Sequence, residues 1–311
     1  MRPSWTLLTA CLGLFAGRLA WAEIPPQLRM YMKRSRVAQA YDMLMPLLAA
    51  SPDDPELHAV YGSLMAQTGD HADAVTAFAF SDGASWYASS GMRQHASSLS
   101  ALGYTDEAIA IRQLARLNPR RDEATDVLTF MAMVDDYREA RRWEEGQDTL
   151  DELLGMSSGA KVWAAATRFY TDKGDLDEAF WASLQAMRTA DPFECKLARA
   201  NLYMQMGDLE AAEQILVQAK RRRARHIGLG AILAELERRK GNPVMALEIT
   251  RLRRYNDTPH IDLRAAEVRA LIDLMAYDEA QDVLDRLRAY EATEKHRELV
   301  TELAAARSSA D

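Results

Sequence analysis

Gly174-Asp175-Leu176-Asp177-Glu178-Ala179 is matched thirty-three residues further on by Gly207-Asp208-Leu209-Glu210-Ala211-Ala212. Two earlier stretches, Gly69-Asp70-His71-Ala72-Asp73-Ala74 and Gly103-Tyr104-Thr105-Asp106-Glu107-Ala108, follow the same pattern. Each reads as the end of one helix, a glycine turn and the first turn of a second helix. Glycine supplies the left-handed backbone that stops a helix, and a following Asp or Asn can accept hydrogen bonds from the free N–H groups of the next one. Acidic residues in that first turn suit the positive end of the helix dipole.

The alanine that ends each stretch recurs along the chain as Ala40, Ala74, Ala108, Gly146, Ala179, Ala212, Ala246 and Ala280, at spacings of 34, 34, 38, 33, 33, 34 and 34. A fixed period of this length marks an array of stacked supersecondary units. The small residue falls one turn into the second helix, where two helices cross closely and a larger side chain would hold them apart.

These residues resemble the tetratricopeptide repeat family, whose unit is a pair of antiparallel helices, over roughly residues 24 to 294. The resemblance implies an all-α, right-handed solenoid of about eight units. The family's small residue in the first helix is matched by Gly62, Ala96, Ala200 and Ala234, and more loosely by Leu28, Val134, Thr167 and Val268. Trp143 and Tyr277 fill an aromatic place after the turn, and Pro52, Pro119 and Pro192 mark unit ends. The fourth unit departs from the pattern: Arg141 replaces the turn glycine, Gly146 replaces the alanine, and four residues are inserted. It is expected to be distorted or loosely packed. The loop Gly155-Met156-Ser157-Ser158-Gly159 is read as a flexible seam, and 295–311 as a polar capping helix and tail.

The 311 residues are 48% hydrophobic and 27% charged, a composition that folds. Arg2 precedes an apolar run from Thr6 to Gly17, followed by Ala20-Trp21-Ala22. This is the form of a secretory signal peptide over 1–22, cleaved after Ala22, and too short for a comfortable membrane span. The body, 23–294 with its cap, is then periplasmic or secreted. Leu8-Thr9-Ala10-Cys11 offers a competing lipobox, with a lipoprotein anchored through Cys11. Membrane association is otherwise expected only through a partner. After cleavage only Cys195 remains, so no internal disulfide forms and a buried structural thiol is expected.

Six histidines lie scattered over separate units, and no zinc, haem, phosphate-loop or nucleophile-elbow motif is present. No catalytic residue, metal or cofactor is therefore assigned. Acid/base catalysis needs carboxylates in an enclosed cleft, whereas an open groove is expected here, so the chain is read as a non-catalytic scaffold.

In the family the first helices line the concave face. The resemblance places Ser63, Ser97, Asp135, Arg168, Asn201, Glu235 and Arg269 there, with Arg93, Met131, Arg138, Met204 and Arg238 flanking them, and Arg93, Ser97, Asp135, Arg168, Asn201, Glu235, Arg238 and Arg269 form the expected partner-binding groove. The family's carboxylate clamp is disfavoured, because Leu197 stands where Asn201 should have a lysine one turn earlier. A second candidate is the basic patch Lys220, Arg221, Arg222, Arg223 and Arg225. It opens a block, 220–254, with eleven cations and three acids in a chain of net charge −8. Such a block either binds an anionic partner or sets cations at helix C-termini. Nucleic acid is not expected, since no aromatics interleave with the cations. The aromatic pairs Trp86-Tyr87, Phe169-Tyr170 and Phe180-Trp181 are expected to be core. Two functions follow: a scaffold that holds a protein or peptide partner and assists assembly of an envelope or secretion complex, or an accessory binder of anionic glycan in exopolysaccharide or cell-wall machinery.

Overall fold

The computed structural model describes residues 24–310 apart from 83, 86, 88–90, 118–122, 191, 224–225 and 253–259, and the side chains of 123–125, 222 and 310 are also left out. The apolar leader, Cys11 and the cleavage place after Ala22 lie outside the described residues, as do Trp86, Pro119 and Arg225. The described residues form α-helices with one short 3-10 helix and no strand. None of these helices is long and apolar enough to cross a membrane.

The helices fall into eight successive pairs. They are α1 (Pro26–Lys33) with α2 (Val37–Ala50), α3 (Pro55–Thr68) with α4 (His71–Ala79), α5 (Met92–Ala101) with α6 (Thr105–Arg116), and α7 (Glu123–Glu139) with α8 (Trp143–Met156). The second half continues with α9 (Ala160–Lys173) and α10 (Leu176–Thr189), α11 (Phe193–Gln205) and α12 (Leu209–Arg223), α13 (Ile227–Arg239) and α14 (Pro243–Thr250), and α15 (Ile261–Asp273) and α16 (Tyr277–Arg286). A 3-10 helix, Arg288–Tyr290, and α17 (Glu294–Ala310) follow.

Each pair turns through one left-handed residue: Ser35, Gly69, Gly103, Arg141, Gly174, Gly207, Gly241 and Met275, with φ between 51° and 95°. The next residue's N–H reaches back five residues to a carbonyl in the finished helix, for example Asp175 to Tyr170 and Arg142 to Tyr137, both at 2.9 Å. This is the Schellman stop, and the non-glycine turns adopt it as the glycines do. The expected Asp and Asn caps form only in part. Asp70 accepts from Asp73 N–H and Asp208 from Ala211 N–H. Asp175 is instead held by Lys173 at 2.6 Å, and the Asn242 amide donates to Glu237.

The periodic small residues sit where the helices cross. All seven alanines are fully buried, and Gly146 is buried with them. A Cβ on Gly62 would lie 2.9 Å from the Phe78 ring, so α4 can approach α3 only over a bare backbone.

The fourth unit is not loosely packed. A Cβ on Gly146 would fall 2.5 Å from the Phe169 ring, so glycine there admits a large ring that alanine would exclude. Phe130, Val134, Leu150, Leu153, Val162, Ala166 and Phe169 form one core across α7, α8 and α9. That core runs past residues 157–159 without a break. The inserted residues have a definite place as well. Helix α7 starts eleven residues before Val134, whereas α9, α11, α13 and α15 start seven before Thr167, Ala200, Ala234 and Val268. Four residues are about one helical turn, and the insertion lengthens α7 at its N-terminus.

First helices of successive units pack on one another, α3 on α5, α7 on α9, α9 on α11, α11 on α13 and α13 on α15, and form the inner wall. Each second helix also meets the first helix of the following unit from outside. Helix α17 closes the apolar end by setting Leu299 and Leu303 against Val268, Leu271 and Val283. Cys195 is buried and its thiol donates to the Ala160 carbonyl at 3.2 Å. Burial pushes that thiol up to about 11, which makes it a packing residue. Phe180 and Trp181 differ from the core expectation, because Trp181 is 53% exposed on α10 with its ring edge-on to Trp163.

Candidate functional site

The inner wall carries charged residues one unit apart, and most of them hold each other. Asp135 on α7 accepts from Arg168 on α9 at 3.0 Å and from Arg138 one turn along at 3.3 Å. Arg138 reaches on to Asp172. Further along, Glu235 on α13 accepts from Arg238 at 2.9 Å and Arg239 at 2.7 Å, and Arg238 reaches Asp273 on α15 at 3.1 Å. Arg269 on α15 then binds Glu302 on α17 through two nitrogens, at 2.8 and 2.9 Å. Crowding by protein alone would push the Asp135 and Glu235 carboxyls up. The neighbouring Arg168 and Arg138, and Arg238 and Arg239, outweigh that and hold both below their ordinary values. Glu235 on Arg238 likewise raises the guanidinium. Five of the eight expected groove residues, Asp135, Arg168, Glu235, Arg238 and Arg269, are thus tied into an intramolecular ladder.

The other three are placed differently. Arg93 and Ser97 are exposed on α5, one turn apart, and Asn201 is half-buried on α11; none has a partner among the described residues. Arg93 and Ser97 line a depression with Gln67, His71, Gln94 and Ser98. The Gln94 amide oxygen is shielded from solvent and accepts no hydrogen bond. His71 is fixed by a 3.2 Å contact between its Nδ1 and the Ser98 hydroxyl, and burial lowers its pKa, so a neutral imidazole faces this depression near pH 7. Around one guanidinium, the site offers an amide carbonyl, hydroxyls and a neutral ring. Gln94 and His71 were not legible as site residues, because their orphaned or fixed state depends on how neighbouring helices pack, as where His71 of α4 meets Ser98 of α5. Met204, expected at the groove's flank, is 2% exposed and belongs to the core against Leu216 and Leu229.

Five of the basic block's cations, Arg223, Arg238, Arg239, Lys240 and Arg251, are paired with acids among the described residues. Lys240 pairs with Glu213 and Glu237, Arg251 with Glu267 and Glu279, and Arg239 also donates to the Met204 carbonyl. Glu213, Glu267 and Glu279 lie outside 220–254, so a count along the chain does not register them; Glu237 lies within it. Within the candidate patch, Lys220 and Arg221 are exposed and Arg223 pairs with Glu194 at 3.4 Å while stacking over Phe193. The Arg222 side chain and Arg225 lie outside the described residues. No group of three or more metal-ligating side chains comes together among the described residues.

Stacked antiparallel helix pairs with a shared inner wall define a helical-repeat solenoid. A family model of the tetratricopeptide repeat matches residues 193–226, which is α11 with α12. The sequence match thus covers one of the eight pairs, and the other pairs share its helix-turn-helix form. Among solved structures the chain is similar to a tetratricopeptide repeat protein from Parabacteroides merdae, at 12% identity over 89% of this chain and 96% of that one, with a TM-score of 0.52. It is also similar to a chain of the APC/C hetero-tetramer Cut9-Hcn1, at 17% identity and a TM-score of 0.53. That match covers 87% of this chain but 56% of the other, so the chain spans little more than half of that relative's length. Identities at this level establish the fold. No curated protein matches the sequence.

Proposed function

We propose that the protein is a non-catalytic scaffold that holds a segment of a protein partner at the inner wall beside α5. The observation that carries this is the depression around Arg93, Ser97 and Gln94. Arg93, Ser97 and the Gln94 amide oxygen have no partners among the described residues, whereas charged places on α7, α13 and α15 are paired internally. Polar groups without internal partners can exchange bound water for a complementary segment, while the ladder would also have to break its own bonds. The apolar leader at 1–22 supports placing the scaffold in the cell envelope, assisting assembly of an envelope or secretion complex. By its name, the Cut9-Hcn1 relative belongs to a hetero-tetramer, an assembly role of the kind proposed here.

In-cell crosslinking followed by affinity purification tests this reading. The native chain is compared with Arg93→Ala/Ser97→Ala and, separately, with a variant carrying Ala at Arg221, Arg222, Arg223 and Arg225. One defined protein is expected with the native chain, lost in the first variant and kept in the second. Loss in the second alone would move the site to the α12 end. Retention of anionic glycan with no protein would replace the scaffold by a glycan binder.

A further inference from the structure

The last segment of the array meets its third and fourth units. Leu102, at the turn of the third unit, is buried in one small cluster with Leu287 and Tyr290 from the segment before α17, and Val75 and Ile261 pack against it. The adjoining Gly103 touches backbone: a Cβ there would lie 2.5 Å from the Ala292 carbonyl carbon and 2.6 Å from the Thr293 nitrogen. Four other left-handed glycines, at 69, 174, 207 and 241, have nothing within 4 Å of that place. One unit further on, Arg141 pairs with Glu298 of α17. Beside it, Glu139 is drawn to Lys295, which itself pairs with Asp262.

These contacts join the turn edge of units three and four to the segment around the last unit, across most of the chain. Units that each contact only their neighbours would leave these edges apart.

We propose that this contact is a latch: the array makes one turn of a coil, and the 287–298 segment closes its last edge against the turns at 102–103 and 141, fixing the pitch. The latch is small, one apolar cluster of three buried side chains, one backbone contact and one cross-edge ion pair, whereas successive units pack helix on helix. When it gives, the coil opens as a spring while every unit stays folded. The proposal does not depend on what binds at α5.

Small-angle scattering of the full chain tests it through matched substitutions. Asparagine tolerates left-handed backbone, so Gly103→Asn and Gly174→Asn impose similar local cost, yet only the first places a Cβ into another segment. An upward shift in radius of gyration is expected for Gly103→Asn, at unchanged helicity, and none for Gly174→Asn. Arg141→Glu should also expand the coil, and Arg141→Glu/Glu298→Arg should restore it. This pair decides the matter if Gly103→Asn does not fold. Native dimensions in Arg141→Glu and Gly103→Asn alike, or equal expansion in Gly174→Asn, would overturn the latch.

Discussion

The inner wall has two characters. From α7 onward its charged side chains bind one another across successive units, Asp135 with Arg168, Arg238 with Asp273 and Arg269 with Glu302. On α5 and the neighbouring α4 there is no such ladder: Arg93 is unpaired among the described residues, and packing comes from a ring cluster. Phe78 stacks on His95 at 5.1 Å, and the Tyr87 hydroxyl meets His95 Nδ1 at 2.8 Å. One repeat pattern therefore builds two kinds of surface. One stretch of wall satisfies its own charges, and the stretch that does not is the one we propose as the partner site.

The hinge between the two regions should give the largest effect. Arg112 on α6 and Asp136 on α7 form a pair at 2.7 Å with only 6% and 2% of their side chains exposed. Removing one member of a buried pair leaves an uncompensated charge, which costs about 3–5 kcal/mol. Asp136→Ala should lower the urea midpoint accordingly, and Arg112→Met/Asp136→Leu should recover much of it. If Asp136→Ala unfolds the α1–α6 region before the rest in hydrogen exchange, the joint is where the two regions part. A single unchanged transition would show that they fold as one.

Acid should separate the regions in a fixed order. Burial lowers His95 from 6.5 to about 4. The unfolded chain therefore takes up a proton near pH 6.5 that the folded ring cluster refuses. Its contribution is full above pH 6.5 and falls away between there and about 4, amounting to roughly 2 kcal/mol after allowance for its partial exposure. The ladder carboxylates Asp135 and Glu235 have depressed pKa values, so their contribution persists until the pH falls below the ordinary carboxylate range. Exchange at pH 4.5 should thus be faster around α4 and α5 and unchanged from α7 to α15. Acceleration of the ladder first would invert the assignment.

How much of this could be read beforehand depends on what each feature requires. The period, the eight pairs and the crossing alanines were legible because they depend on residue size at a fixed spacing. Arg141 and Gly146 misled, since the pattern treats any exception as weakness. In the fold Arg141 takes the same left-handed stop as glycine, and the missing methyl at 146 is filled by Phe169. The groove residues were located by register, but register says nothing of partners thirty-three to thirty-five residues away. Asp135 and Arg93 look alike in sequence, and only the neighbouring unit decides that one is satisfied. The same limit applies to the basic block, since Glu213, Glu267 and Glu279, the partners of Lys240 and Arg251, lie elsewhere in the chain.

A single ladder pair should matter much less than the hinge. Arg269 and Glu302 are partly exposed, at 27% and 40%, and such pairs contribute about 0.2–1 kcal/mol. Arg269→Gln is expected to lower stability within that range, by less at high salt, where exposed charges are screened. A loss above about 2 kcal/mol would mean that α17 depends on this pair to cap the array, and the ladder would then be a folding element more than a surface one.

The smallest effect on stability should come from the residue expected to matter most for binding. Arg93 gives up no ion pair when it becomes alanine, and an exposed helical site of this kind changes stability by less than about 0.5 kcal/mol. The same change removes the guanidinium from the depression, so partner capture should fall while the melting curve stays put. Asp135→Ala offers the reverse test: it strands Arg168, leaves Arg138 to Asp172 and Glu139, and should lower stability without reducing capture. If Arg93→Ala destabilised the fold, or Asp135→Ala abolished capture, the line between an occupied wall and an available one would be drawn in the wrong place. The contrast between these two substitutions, measured in one preparation, reads function and folding separately on the same inner wall.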